Sequence, residues 1–135
     1  MIAVDTSVWV AALRNRESAE AQVLQPLLDE DEVLLPIPVK VELLSGTSTR
    51  HRQALKKALE ALPLAYPTDE TWRTLVEWTD RTSEAGATFG VSDLLIGAIA
   101  AEHGALLWSL DTAFEHMSRL RLVSTYDPPI GPGAP

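Results

Sequence analysis

The sequence predicts an α/β domain built on a parallel sheet. Three observations carry this. Short apolar runs recur at MIAVD, VLLPIP and ALLWSL, and runs without alternating polar residues suit strands covered on both faces. Helical periodicity follows the first two runs, so the chain reads as β–α repeated. Between Leu94 and Ala101 there is no charged residue, and a helix apolar on nearly every side is a buried one.

In chain order, MIAVD is the first strand, with Asp5 at its end. Thr6 and Ser7 are read as caps of a helix carrying Val8, Trp9, Ala12 and Leu13 on one face. Ser18 to Leu28 forms a second helix. The run Asp29-Glu30-Asp31-Glu32 reads as a solvated loop, because consecutive acids do not converge on one point. VLLPIP is the second strand, and Pro38 opens the helix PVKVELLSG, which carries Glu42 in its first turns. Thr47 to Leu62 is a helix with Ala54, Leu55, Ala58, Leu59 and Leu62 as its apolar face.

Leu64 to Tyr66 is a short third strand. A helix capped at Thr68 runs to about Glu84, with Trp72, Leu75, Val76 and Thr79 on one face and Trp78 off it. Ser92 is read as the N-cap of the central helix and Asp93 as a residue of its first turn; His103 and Gly104 close it. ALLWSL is the next strand, Asp111 sits just beyond it, and after a short turn LRLV reads as an edge strand. The expected domain spans 1–125, with a proline- and glycine-rich segment, 126–135, expected to be disordered.

Composition sets limits. A chain of 135 residues with 46% hydrophobic content is one domain with a real core. Without cysteine there are no disulfides and no thiolate metal sites. With a strand at the very start and no long apolar run, the chain reads as a cytoplasmic protein with no membrane segment. A net charge of −8 argues against non-specific attraction to nucleic acid, although two Mg²⁺ ions in one site would halve it.

Four acids stand out: Asp5, Glu42, Asp93 and Asp111 are embedded in apolar sequence at strand ends or helix starts. Clustered carboxylates resist ionising unless something compensates, and Mg²⁺ or Mn²⁺ does so while leaving positions for phosphate. Such ions can activate water in phosphodiester cleavage. No Walker loop, GxSxG or histidine ligand spacing competes. Arg50, Arg52, Lys56 and Lys57, with His51 nearby, form the single basic cluster. It is either a solvated helix face or a phosphate contact surface.

Asp5-Thr6-Ser7 after the first strand, Glu42 in the helix after the second, Ser92-Asp93 opening an apolar helix, and Ser109-Leu110-Asp111 before Phe114 together resemble a PIN domain, most closely the VapC-type toxins of toxin–antitoxin systems. The resemblance covers residues 1 to about 123. It implies a three-layer α/β/α sandwich around the parallel sheet and an endoribonuclease dependent on Mg²⁺ or Mn²⁺. It also implies inhibition by a small cognate antitoxin and, commonly, a homodimer. By position, Asp5, Glu42, Asp93 and Asp111 are the catalytic and metal-binding acids, and Ser7 and Ser109 are supporting hydroxyls that orient carboxylates or water. If the basic cluster is a phosphate contact surface and not a solvated face, RNA contact falls to Arg50, Arg52 and Lys56; the antitoxin is expected between helices 18–28 and 47–62. Many relatives carry a further acid two residues after the one matching Asp111; here that residue is Ala113, which points to one ion until substrate arrives.

Two other acid-bearing folds fail on spacing. VLLPIP has no phosphoacceptor Asp and no Lys follows Lys57, which excludes a receiver domain. Ser7 stands where a dehalogenase-type phosphatase needs a second Asp. The alternative within the same resemblance is a catalytically weak module acting as an interaction partner of an antitoxin–DNA complex.

Overall fold

A computed structural model describes residues 1–130. Four parallel strands, β1 (Ile2–Val4), β2 (Val33–Pro36), β3 (Leu64–Ala65) and β4 (Leu106–Trp108), form a sheet in the order β3-β2-β1-β4. Ile2 sits level with Val33 on one side and with Leu106 on the other. Helices cover both faces, giving the three-layer α/β/α arrangement. Double coverage explains why every residue of β1 and β2 is buried and why neither strand alternates.

The helices are α1 (Thr6–Arg14), α2 (Ala19–Asp29), α3 (Ile37–Gly46), α4 (Thr49–Glu60), α5 (Asp69–Glu84), α6 (Val91–Glu102) and α7 (Thr112–Arg119). Ser18 caps α2 by accepting from Ala21 N. Thr68 and Thr71 cap α5 reciprocally, and fully buried Thr71 also donates its hydroxyl to Glu102 Oε2 at 2.8 Å, tying α5 to α6. α6 is the central helix: it is buried from Leu94 to Ala100 and closes at His103, with Gly104 at φ 61°.

Gly97 lets this helix sit close to its neighbours. A Cβ there would lie 3.1 Å from Val123 Cγ1, 3.3 Å from Met117 Sδ and 3.4 Å from Trp78 Cζ3.

The structure corrects several expectations. α1 is capped by Asp5, not by Thr6 or Ser7, and α6 begins after Gly90, not Ser92. In both cases the expected caps are helical residues whose hydroxyls serve other partners. On α5 the buried face is rotated: Leu75 is buried as expected, but with Thr71, Trp78 and Thr82, while Trp72 and Val76 face outward. Gly97 provides the space that Trp78 fills, which decides the orientation. The segment after Asp111 is α7, not a bare turn, because Asp111 caps it through Ala113 N.

LRLV is not a strand. Arg121 adopts φ 62° and ends the helical turn, leaving Leu122 and Val123 to plug the core. Sheet pairing resumes further on, where Thr125 bridges to Leu107 in parallel.

Of the segment 126–135, residues 131–135 lie outside the described residues. Before them, Tyr126 N donates to Leu107 O at 2.8 Å, and Tyr126 and Ile130 pack against the core. Among the described residues no helix is long and apolar enough to cross a membrane.

Candidate active site

The strand order places a switch point at β1. The chain runs from β1 outward through β2 to β3, then returns to β4 on the other side. Crevices for ligands open at the carboxyl ends of strands at such points. Asp5 follows β1 there, and Ser109 to Asp111 follow β4.

Asp5 is 6% exposed, and a buried carboxylate must be partnered. Its Oδ2 accepts from Ser7 Oγ at 2.8 Å, from Ser109 Oγ at 2.8 Å and from Ser7 N at 3.3 Å. A serine hydroxyl has one proton, so both serines spend theirs on Asp5. Each then accepts a backbone N–H from the turn after β4: Leu110 N to Ser7 Oγ and Asp111 N to Ser109 Oγ, both at 2.9 Å. The network sets the turn and the carboxylate together. It leaves Asp5 Oδ1 with no hydrogen bond from the described residues.

Glu42, on the outer side of α3, is organised the same way. Its Oε1 accepts from Thr6 Oγ1 at 3.2 Å and, in a long contact, from Ser92 Oγ at 3.4 Å. One oxygen thus links the starts of α1 and α6 to α3. Asp111 Oδ1 accepts from Ala113 N at 2.9 Å, capping α7. Thr6 and Ser92 were legible only as helix-start residues; each stands next to an acid in the sequence, which was the available signal for their role.

Asp93, in the first turn of α6, receives no hydrogen bond from the described residues. Its carboxyl is pushed above the ordinary value, first by partial burial and then by the charges of Asp111, Asp5 and Glu42. Asp111, Asp5 and Glu42 therefore all lie within electrostatic range of Asp93. Even so, no group of three His, Cys, Asp or Glu side chains among the described residues is set closely enough to hold an ion as it stands. The donor set itself suits a hard cation. It is all oxygen; three acids each commit one oxygen to the fold and keep one open, and Asp93 keeps both.

The other sequence candidates lie elsewhere. Asp29 to Glu32 are exposed at the opposite end of the sheet, before β2. Arg50, Arg52 and Lys56 are exposed on α4 and make no ion pair with the described residues. α4 packs on α3, the helix that carries Glu42. α2 and α4, between which an apolar docking surface is expected, pack chiefly on other helices, α1 and α3. α2 packs chiefly on α1, and a cavity of about 420 Å³ between those two helices is lined by Trp9, Leu13, Leu24 and Leu28.

These features define a class: an α/β protein with an all-oxygen acidic centre at the switch point of a parallel sheet. The chain belongs to the PIN-domain family, whose profile matches residues 2–120. Among curated proteins it is 30% identical over 125 residues to the VapC ribonuclease Mb1587 of Mycobacterium bovis and to ribonuclease VapC11 of Mycobacterium tuberculosis. Each match covers 89% of this chain and 93% of the relative. Among solved structures it is similar to VapBC2 from Rickettsia felis bound to a DNA fragment from their promoter. That likeness has a TM-score of 0.76 at 19% identity and covers 95% of this chain and 99% of the other.

Proposed function

We propose that this chain is a Mg²⁺- or Mn²⁺-dependent endoribonuclease, the toxin of a toxin–antitoxin pair. One observation carries the reading: the Ser7–Asp5–Ser109 and Thr6–Glu42–Ser92 hydrogen bonds and the Asp111 cap gather the acids at the carboxyl ends of β1 and β4 beside Asp93, which accepts no hydrogen bond from the described residues. A crevice that gathers four acids and leaves their oxygens open is costly to the fold, and a bound cation offsets that cost. Membership of the PIN family and the likeness to curated VapC ribonucleases support the choice of RNA.

Asp5, Glu42, Asp93 and Asp111 would hold the metal, which when bound activates water and stabilises charge on the phosphate. The residues of the chain set the geometry. Ser7 and Ser109 fix the Asp5 carboxylate, and Thr6 and Ser92 steady Glu42. Arg50, Arg52 and Lys56, which form no ion pair with the described residues, supply positive charge on an otherwise acidic chain and suit phosphates flanking the cut.

We assign the antitoxin to the α1–α2 groove, whose apolar lining suits one face of an amphipathic segment. The homodimer has a surface in Trp72 and Val76, one turn apart and facing outward on α5. The compartment that fits these partners is the cytoplasm.

The deciding experiment is RNA cleavage by purified, antitoxin-free protein with Mg²⁺, with Mn²⁺ and with EDTA. Cleavage restored by either ion and abolished by EDTA is expected. Absence of cleavage under all three conditions would leave the interaction-module alternative.

A further inference from the structure

A second cavity, of about 430 Å³, adjoins the acidic centre at the carboxyl end of β4. This is within the size range of small-molecule sites, roughly 300–1,000 Å³. Ser109, Leu110 and Asp111 line one side, Glu115 of α7 another, and Tyr126 and Asp127 the third. The cavity exists because the chain returns to the sheet after α7. Leu107 N donates to Ser124 O at 2.9 Å and Tyr126 N to Leu107 O at 2.8 Å, which carries this segment along β4. The Tyr126 ring stands edge-to-face against buried Trp108, with centroids 5.6 Å apart at 63°. One wall is therefore a braced aromatic, and another is Leu110, 51% exposed.

The lining selects the occupant. It contains three carboxylates and no Lys or Arg, so it repels phosphate. A braced aromatic and an exposed leucine suit a flat neutral ring. Carboxylates only accept hydrogen bonds, so the ring must present donors. Ser109 and Asp111 belong both to this cavity and to the acidic centre, so the occupant sits next to the reacting phosphate.

We propose that this cavity holds a guanine base of the nucleotide bordering the cut bond, with Asp127 accepting its N1–H and N2–H. The assignment rests on the nuclease reading above. Guanine presents two adjacent donors on its Watson–Crick edge, matching the two oxygens of a carboxylate. Adenine and cytosine pair one amino donor with a ring acceptor, and uracil flanks one N–H with two acceptors. Glu115 lies 3.9 Å from Arg119, whereas Asp127 has no ion-pair partner among the described residues, which makes it the better acceptor. Single-stranded RNA can splay its bases into such sites.

The test compares kcat/KM on short RNAs that differ only at the base beside the cut. Guanine is expected to be preferred over adenine by about tenfold or more, and inosine, which lacks the N2 amino group, to lose much of that preference. Asp127→Asn and Asp127→Ala should narrow the guanine-to-adenine ratio rather than scale all substrates down together. Cleavage without base preference, or a guanine preference unchanged in both variants, overturns the proposal and leaves the nuclease reading intact. Binding of free guanosine and adenosine, followed by NMR at the Tyr126 and Asp127 amides, reads the cavity without cleavage. Shifts with guanosine alone support the site even if no RNA is cut, in which case the nuclease reading is the one that fails. Equal shifts, or none, overturn it.

Discussion

Ser109 donates its hydroxyl to Asp5 Oδ2 at 2.8 Å, joining the carboxyl ends of β4 and β1 across 104 positions of sequence. The same hydroxyl accepts Asp111 N at 2.9 Å, so one side chain orients two of the four acids. Removing it frees the Asp5 carboxylate to rotate and loosens the turn that presents Asp111. Ser109→Ala should lower metal affinity and activity by roughly 10–100-fold, the usual cost of losing a group that orients a ligand. Titration of Mn²⁺ alongside kcat/KM checks this. An affinity equal to wild type would assign the serine to the fold alone.

The raised pKa of Asp93 makes a prediction about stability. A carboxyl whose pKa is higher folded than unfolded favours the native state below its ordinary value, and that advantage is lost as pH rises through the shifted value. At pH 7 the ionised Asp93 therefore works against the metal-free fold. Asn at this position keeps the shape and removes the charge, forfeiting about 0.3–1 kcal/mol from its place in the first turn of a helix. Repulsion from three acids should outweigh that loss. Asp93→Asn is expected to melt higher than wild type in EDTA at pH 7, with the gap closing towards pH 4, and to lose cleavage. Mg²⁺ should raise the wild-type melting temperature more than the mutant's. A mutant that melts lower in EDTA would show that fold contacts, not relief of repulsion, govern Asp93.

The basic face of α4 predicts a change in salt dependence. Arg50, Arg52 and Lys56 are exposed and unpaired with the described residues. Replacing all three by Ala should weaken RNA binding across sequences and flatten the log K against log salt slope by roughly 0.7–1 for each phosphate no longer neutralised. Binding isotherms between low and moderate salt measure it. An unaltered slope would make these residues a solvated face and turn attention to Arg14 and Arg16.

Gly97→Ala tests the packing of the central helix. Alanine gains helix propensity of about 1 kcal/mol over glycine. Against this, the new methyl meets Val123, Met117 and Trp78 at 3.1–3.4 Å, and overpacking a core costs roughly 1–3 kcal/mol. Crowding from three side chains at once should win, with a net loss of about 1 kcal/mol in urea unfolding. A more stable variant would mean that the contacts relax through Met117 and Val123.

The sequence alone determined the α/β class, the strands within MIAVD and VLLPIP, and the buried central helix, while the structure ends the second strand at Pro36 and starts α3 at Ile37. Those features rest on local apolar runs and helical periodicity, which need no partner to be read. The candidate acids were legible for a similar reason, since charge embedded in apolar sequence stands out.

What only the tertiary structure decided was contact across the chain. Which tryptophan of α5 turns inward depends on the space at Gly97, nearly twenty positions away. The hydroxyls of Thr6 and Ser92 reach Glu42 instead of capping their own helices because the starts of α1 and α6 meet the side of α3 at one oxygen. The return of the chain after Arg121 depends on that residue's left-handed turn and on the free edge of β4. No periodicity encodes these choices, because each is set by which distant group occupies the neighbouring space.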